Sequence, residues 1–138
     1  MSNIKSVLSM QKLAFDKIAF DRRGPKNQNS SSYTIETRFA KNQEESVYRV
    51  TLVLDGNKEN EYTFEIVLTG VFSFDSSEPL EEDIKNKLIT RNAVSIMMPY
   101  MRSQVSLLTA QPEVDCVVLP PFNINNLIAD NDNDSKLQ

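Results

Sequence analysis

Apolar and polar residues alternate along most of the first half of this chain. Tyr33, Ile35, Thr37 and Phe39 alternate with Thr34, Glu36 and Arg38, the period-two pattern of a half-buried strand. Val47 to Leu54 places Tyr48, Val50, Leu52 and Leu54 on one face. Tyr62 to Phe74 answers it, with Tyr62, Phe64, Ile66 and Leu68 inward and Thr63, Glu65, Val67 and Thr69 outward. Asp55-Gly56, between these two runs, is a hairpin signal. From Ser6 to Arg22 the parity changes: Leu13 and Phe15 share one side, Ile18 and Phe20 the other. A bulge across Asp16-Lys17 accounts for that change, because one extra residue flips all later side chains to the opposite face. A helix also accommodates Leu8, Leu13 and Phe20, but the aromatic content favours a strand. Together the four runs predict one antiparallel sheet.

Past Phe74 the period changes. Ser76 or Ser77 is placed to cap a short helix whose first turn holds Pro79, Glu81, Glu82 and Asp83, acidic residues that suit the positive end of a helix dipole. A second helix is expected from about Asn92 to Leu108. Val94, Met97, Met98, Met101, Val105 and Leu108 form one stripe on it, and Ile96, Tyr100 and Leu107 begin another. Pro99 falls inside this run, so the helix kinks between Ser95 and Tyr100 or else divides there. The three methionines suit either ordinary core filling or an adaptable lining for a variable partner. Val117 to Phe122 contains Pro120-Pro121 and reads as an extended segment packed on another element. Asn123 to Ile128 follows as a short last helix, and Asp130 to Gln138 as a polar tail. The fold class is therefore α+β in a single domain spanning residues 1–138, with a disordered tail from about 130.

Gly24 to Ser32 is almost free of apolar residues and reads as a long crossover loop. The 138 residues carry 15 basic and 19 acidic side chains, a balance that argues against nucleic acid as a partner. The charge is uneven: Met1 to Lys41 holds eight basic and three acidic residues. Cys116 is the single cysteine, so no internal disulfide forms. Its neighbours Val117 and Val118 predict a buried thiol. Lys5 and Ser6 interrupt any signal-peptide core and no apolar run is long enough to span a bilayer, so a cytoplasmic setting without membrane insertion is expected.

The chemistry is mostly one of exclusion. There is no histidine, which removes the commonest general base and metal ligand. Gly24, Gly56 and Gly70 are too far apart for a phosphate-cradling loop. Glu44-Glu45 and Glu81-Glu82-Asp83 sit in turn or helix-start contexts that solvation explains. No enzyme activity, cofactor or metal is expected. A helix with two apolar faces and an extended Pro-Pro segment leave apolar surface for self-association or for an extended polypeptide.

The chain resembles the SecB family of protein-export chaperones. The resemblance is carried by Met10-Gln11-Lys12-Leu13 with Ile18-Ala19-Phe20-Asp21 and Pro25, by Val47-Tyr48, and by Glu65 to Phe74 with its Gly70-Val71-Phe72-Ser73 step. Pro99-Tyr100-Met101-Arg102 and Leu119-Pro120-Pro121-Phe122-Asn123 complete it. It implies a four-stranded antiparallel sheet with helices on one side and a homotetramer, a dimer of dimers joined through first strands and long helices. Met97, Tyr100, Met101 and Val105 are the interface residues expected in this chain. It also implies that unfolded preproteins are held in apolar grooves and passed to the SecA motor ATPase.

Transferred residue by residue, the groove draws on Phe39, Val71, Phe72, Phe74, Leu119 and Phe122. The acidic motor-facing surface corresponds to Asp21 and Glu65, and a third, usually acidic, position is Lys17 in this chain. A reversed charge on a steering surface weakens attraction to a basic partner. Some SecB-like proteins serve toxin-antitoxin modules, so a dedicated chaperone of one antitoxin's disordered tail is an alternative, and a non-chaperone adaptor with the same fold is another.

Overall fold

A computed structural model describes residues 8–42, 47–74 and 81–122. Four strands, β1 (Leu8–Arg22), β2 (Ser31–Lys41), β3 (Val47–Lys58) and β4 (Tyr62–Phe74), form one antiparallel sheet. Their order across it is β1-β4-β3-β2. The alternation in the sequence becomes two faces. On β3 and β4 the even-numbered residues from Tyr48 to Leu54 and from Tyr62 to Phe72 are buried on the inner face.

The hairpin between β3 and β4 departs from expectation. Asp55 and Gly56 lie within β3, and the turn comes later, where Glu61 N–H donates to Lys58 O (2.9 Å) and Asn60 takes a φ of 64°. Gly56 serves packing instead. A Cβ there would stand 2.3 Å from the Phe64 ring, which crosses the position a side chain would need.

The bulge in β1 is present between Phe15 and Lys17, and a second, between Met10 and Lys12, was not anticipated. Leu8 and Met10 against Leu13 and Phe15 show the same parity change in the sequence. Both extra residues are held from β4: Thr69 Oγ1 donates to Asp16 Oδ2 (2.5 Å), and Gln11 Nε2 donates to Ser73 Oγ (2.8 Å).

Helix α1 (Glu82–Leu88) continues through a π-helical turn, Ile89–Ala93, into α2 (Val94–Thr109), with Leu88, Ile89, Ala93 and Val94 all in right-handed helical backbone. The expected two helices are thus one run, since neither glycine nor proline occurs between Glu82 and Met98. Glu81, in extended backbone, is the N-cap and makes no side-chain cap bond. Ser76, Ser77 and Pro79 lie outside the described residues, as do Asn123 to Ile128 and the tail. Pro99 sits inside α2 rather than dividing it, at the cost of the N–H that Ser95 O would otherwise accept.

The inner face packs on this helix. Val94, Met97, Met98, Met101 and Val105 join Val50, Leu52, Leu54, Ile66, Leu68 and Phe72 in one core. Gly70 lets the layers close, since a Cβ there would meet the Phe72 ring at 2.8 Å and Met97 Sδ at 3.0 Å. After α2 the chain turns back along it. Ser106 Oγ donates to Val117 O (2.8 Å), Arg102 Nη1 to Leu119 O (3.1 Å), and Thr109 Oγ1 accepts from Val117 N (2.8 Å). The extended Pro-Pro segment therefore packs on the helix. Cys116 is exposed rather than buried, because Val114 and Leu119 are the side chains that this segment turns inward.

β1 and β2 occupy opposite edges, so the crossover between them must pass the end of the β3–β4 hairpin. Glu61 fastens it there. Its main-chain O accepts from Arg23 N (2.7 Å) and Gly24 N (3.2 Å), and its Oε1 accepts from Asn27 N (2.9 Å) and Lys58 Nζ (2.9 Å). The Glu61 side chain is fully buried, and Oε2 has no hydrogen-bond partner. Burial pushes this carboxyl up, but the Asn27 N–H and the Lys58 ammonium outweigh burial and hold it below the usual range.

Candidate functional site

The six groove candidates divide between the two sides of the sheet. Phe39 pairs with Val50 on the inner face, where Phe72 and Phe74 also point, but Val71 follows the alternation to the outer face. Phe72 is fully buried and Leu119 nearly so, which makes both part of the chain's own core. Phe39 (36% exposed), Phe74 and Phe122 are the candidates that present ring surface at the rim of that core. Phe74 packs edge-on against Tyr48, with ring centroids 5.3 Å apart. Around the same layer, Met10 and Ile18 of β1 are also exposed. An extended chain laid along this rim would find half-buried rings, each able to remove a large apolar area from water.

The four assembly candidates divide similarly. Met97, Met101 and Val105 are fully buried against this chain's own sheet, and Tyr100 is 46% exposed. Leu107, one helical turn beyond Ser103 on α2, is 70% exposed. Of the second stripe, Ile96 packs against the core, while Tyr100 and Leu107 are exposed among the described residues.

The outer face carries the charges. Asp21, Asp55, Glu65 and Lys17 line a shallow polar depression of about 400 Å³ that crosses all four strands. Lys17 Nζ sits 2.5 Å from Glu65 Oε1. The two positions are diagonal neighbours because the bulge at Asp16 pairs Lys17 with Val67 and Ala19 with Glu65. The Lys17 ammonium beside it holds the Glu65 carboxyl below its usual range, and Glu65 in turn pushes Lys17 up. Asp55 is pushed up, by burial first and then by sharing a hydrogen bond with Glu65. Asp21 and Glu65 lie on one surface, and Lys17, the residue at the third position, pairs with Glu65 directly. Asp55, on the neighbouring strand, is the member that sequence reasoning missed; its place in a strand was hidden by the apparent turn signal.

Among the described residues no group of histidine, cysteine, aspartate or glutamate side chains is placed to hold a metal ion. No helix among them is long and apolar enough to cross a membrane.

No protein-family model matches the chain. An uncharacterised protein of Methanocaldococcus jannaschii is 28% identical over 96 residues, which cover 68% of this chain and 61% of that protein. The chain thus spans less than two-thirds of this relative. A Streptococcus agalactiae protein of unknown function aligns with a TM-score of 0.47 at 12% identity, over 83% of this chain and 97% of that one. The Mycobacterium tuberculosis SecB-like chaperone Rv1957, solved with a ChAD peptide from the HigA1 antitoxin, aligns with a TM-score of 0.66 at 15% identity. That alignment covers 86% of this chain and 92% of the other, so the four-stranded sheet with its long helix is the SecB-like fold.

Proposed function

We propose that this chain is a SecB-like chaperone that holds an extended, unfolded polypeptide along the inner-face rim, and that its client is a dedicated one such as an antitoxin's disordered tail. The observation that carries this reading is the set of partly exposed rings, Phe39, Phe74 and Phe122, at the rim of the core. The fold they sit on is shared with a chaperone solved around an antitoxin peptide. The Lys17–Glu65 pair favours a dedicated client over delivery to SecA. A basic partner approaching Glu65 meets an ammonium already seated there, and like charge across an interface costs both steering and affinity. The same reading assembles the chain as a dimer of dimers, through the edge of β1 and the uncovered helix side at Tyr100 and Leu107.

Light scattering of the purified protein tests this, alone, with a chemically unfolded slow-folding protein, and with a disordered antitoxin tail. The expected result is an oligomer that forms a stable complex with the tail. Phe39→Ser combined with Phe122→Ser should weaken that complex about tenfold while leaving the assembly intact. Capture of generic unfolded chains together with SecA would instead assign export. An oligomer that binds neither polypeptide would make the chain an adaptor and overturn the proposal.

A further inference from the structure

The outer face of the sheet is segregated by charge in a way that the inner-face reading does not use. Residues opposite one another across the strands form rows. Ala40, Arg49, Val71 and Lys12 make one row, and Arg38, Thr51, Thr69 and Ala14 the next. Towards the other end, Thr34, Asp55, Glu65 and Ala19 share a row, followed by Ser32, Asn57, Thr63 and Asp21. Between these lies a mixed row, Glu36, Val53, Val67 and Lys17, and Asp16 accepts a hydrogen bond from Thr69. Cations thus predominate at the β2–β3 hairpin end and carboxylates at the opposite end, without excluding the other sign. In a chain of net charge −4, a cationic end on an exposed sheet face runs against the overall balance.

Within the cationic end, Arg38 is engaged by Glu36 along its own strand, at 3.0 Å. The described ion pairs, Lys17–Glu65, Lys26–Asp115, Arg38–Glu36 and Lys58–Glu61, include neither Lys12 nor Arg49. These two flank Val71 in its row, about 10 Å apart by the ordinary spacing of strands. On the Arg49 side of Val71, a depression of about 220 Å³ is lined by Ala40, Lys41, Asn42, Val47, Arg49 and Val71, and Val47 is 37% exposed beside it. Two outward cations with an aliphatic side chain, Val71, between them have a defined complement: a carboxylate, an aliphatic side chain and a second carboxylate. An extended peptide supplies these from alternate residues, which face one side about 7 Å apart, and flexible lysine and arginine side chains take up the difference.

We infer that the row Lys12–Val71–Arg49 is a docking site for an acidic, extended polypeptide segment with an aliphatic residue between two carboxylates. Charge complementarity selects the occupant. Arginine pairs with carboxylate through two parallel hydrogen bonds, and Val71 and Val47 receive the aliphatic side chain. A nucleic acid is disfavoured, because a chain of net charge −4 repels a phosphate backbone beyond these two cations. The site lies on the opposite face from Phe39 and Phe74 and does not depend on the rim's holding a client.

Methyl and amide NMR of the labelled protein, titrated with a Glu-Ser-Val-Ser-Glu peptide and separately with Lys-Ser-Val-Ser-Lys, localises the contact. The acidic peptide should move the Val71 and Val47 methyls and the Arg49 signals, with affinity falling as salt rises, and the basic peptide should leave them in place. Lys12→Glu with Arg49→Glu should weaken binding by about tenfold or more. Lys12→Gln with Arg49→Gln serves the same purpose with a smaller perturbation, and Val71→Ser should weaken binding with both charges kept. Equal binding of the two peptides, shifts confined to the Phe39 and Phe74 face, or unchanged affinity in the charge variants would overturn the assignment. A single-stranded oligonucleotide that displaced the acidic peptide from Arg49 would overturn it as well.

Discussion

Glu61 and Glu65 each accept a lysine, and the two pairs differ in everything but chemistry. Lys17 Nζ and Glu65 Oε1 approach to 2.5 Å with side chains 55% and 34% exposed, whereas Lys58 and Glu61 stand 2.9 Å apart with side chains 10% and 0% exposed. The shorter pair is the less consequential one for folding. Water already solvates both of its charges, so their attraction is screened and the ordering of two long side chains offsets the gain. The buried pair cannot be replaced by water, and losing either member strands the other charge in the interior. Burial, rather than distance, decides that Glu61 holds the fold while Glu65 shapes a surface.

The largest effect should come from breaking the buried pair. Glu61→Ala leaves Lys58 without its counter-charge and Asn27 N–H without its acceptor, at a cost of about 3 kcal/mol. Urea unfolding monitored by circular dichroism measures it. A variant that unfolds at the wild-type midpoint would show that the crossover loop is fastened without this carboxylate.

Acid tests the buried carboxylate in a second way. Glu61 is held below its ordinary value, so its contribution is fully present above the unfolded-state value of about 4.3 and is lost as pH falls through the folded value. Stability measured from pH 7 downward should therefore drop on the acid limb, and Glu61→Gln should flatten that drop. Asp55 acts with the opposite sign: its carboxyl is pushed up, so the fold gains from its protonation and loses that gain as pH rises. An acid limb as steep in Glu61→Gln as in the parent would assign acid sensitivity to other carboxylates.

The smallest effect on folding, and the sharpest on the surface, belongs to Lys17→Met. No shift in the unfolding midpoint is expected, since Lys17 and Glu65 are both well solvated. Carboxyl NMR titration should instead show Glu65 rising towards the ordinary glutamate range once the ammonium is gone. A Glu65 titration unmoved by the substitution would mean that Asp55 and the backbone, rather than Lys17, set its charge.

The strands were legible because their evidence is local. A half-buried strand must alternate, and β4 does so from Tyr62 to Ser73, with buried and partly exposed residues in strict succession. That alternation also implied Val71 on the outer face, so its separation from Phe72 was readable from parity alone. The break in parity at Asp16 likewise announced a bulge. Asp55-Gly56 misled because glycine serves two purposes, positive φ in a turn or absence of a side chain under a neighbour, and only the Phe64 ring lying over Gly56 distinguishes them.

The chain by itself thus determined the two faces of the sheet, the apolar stripe of the helix and the absence of histidine, all properties of residue type and spacing. Tertiary structure alone decided which apolar residues remain available. Phe72 and Phe122 are alike in composition, yet one is fully buried and the other only partly, because coverage depends on where α2 and the returning segment lie. It likewise decided that Lys17 meets Glu65. Their encounter follows from the register of two strands far apart in the chain, offset by one bulge residue, and no local pattern carries the alignment of two distant segments.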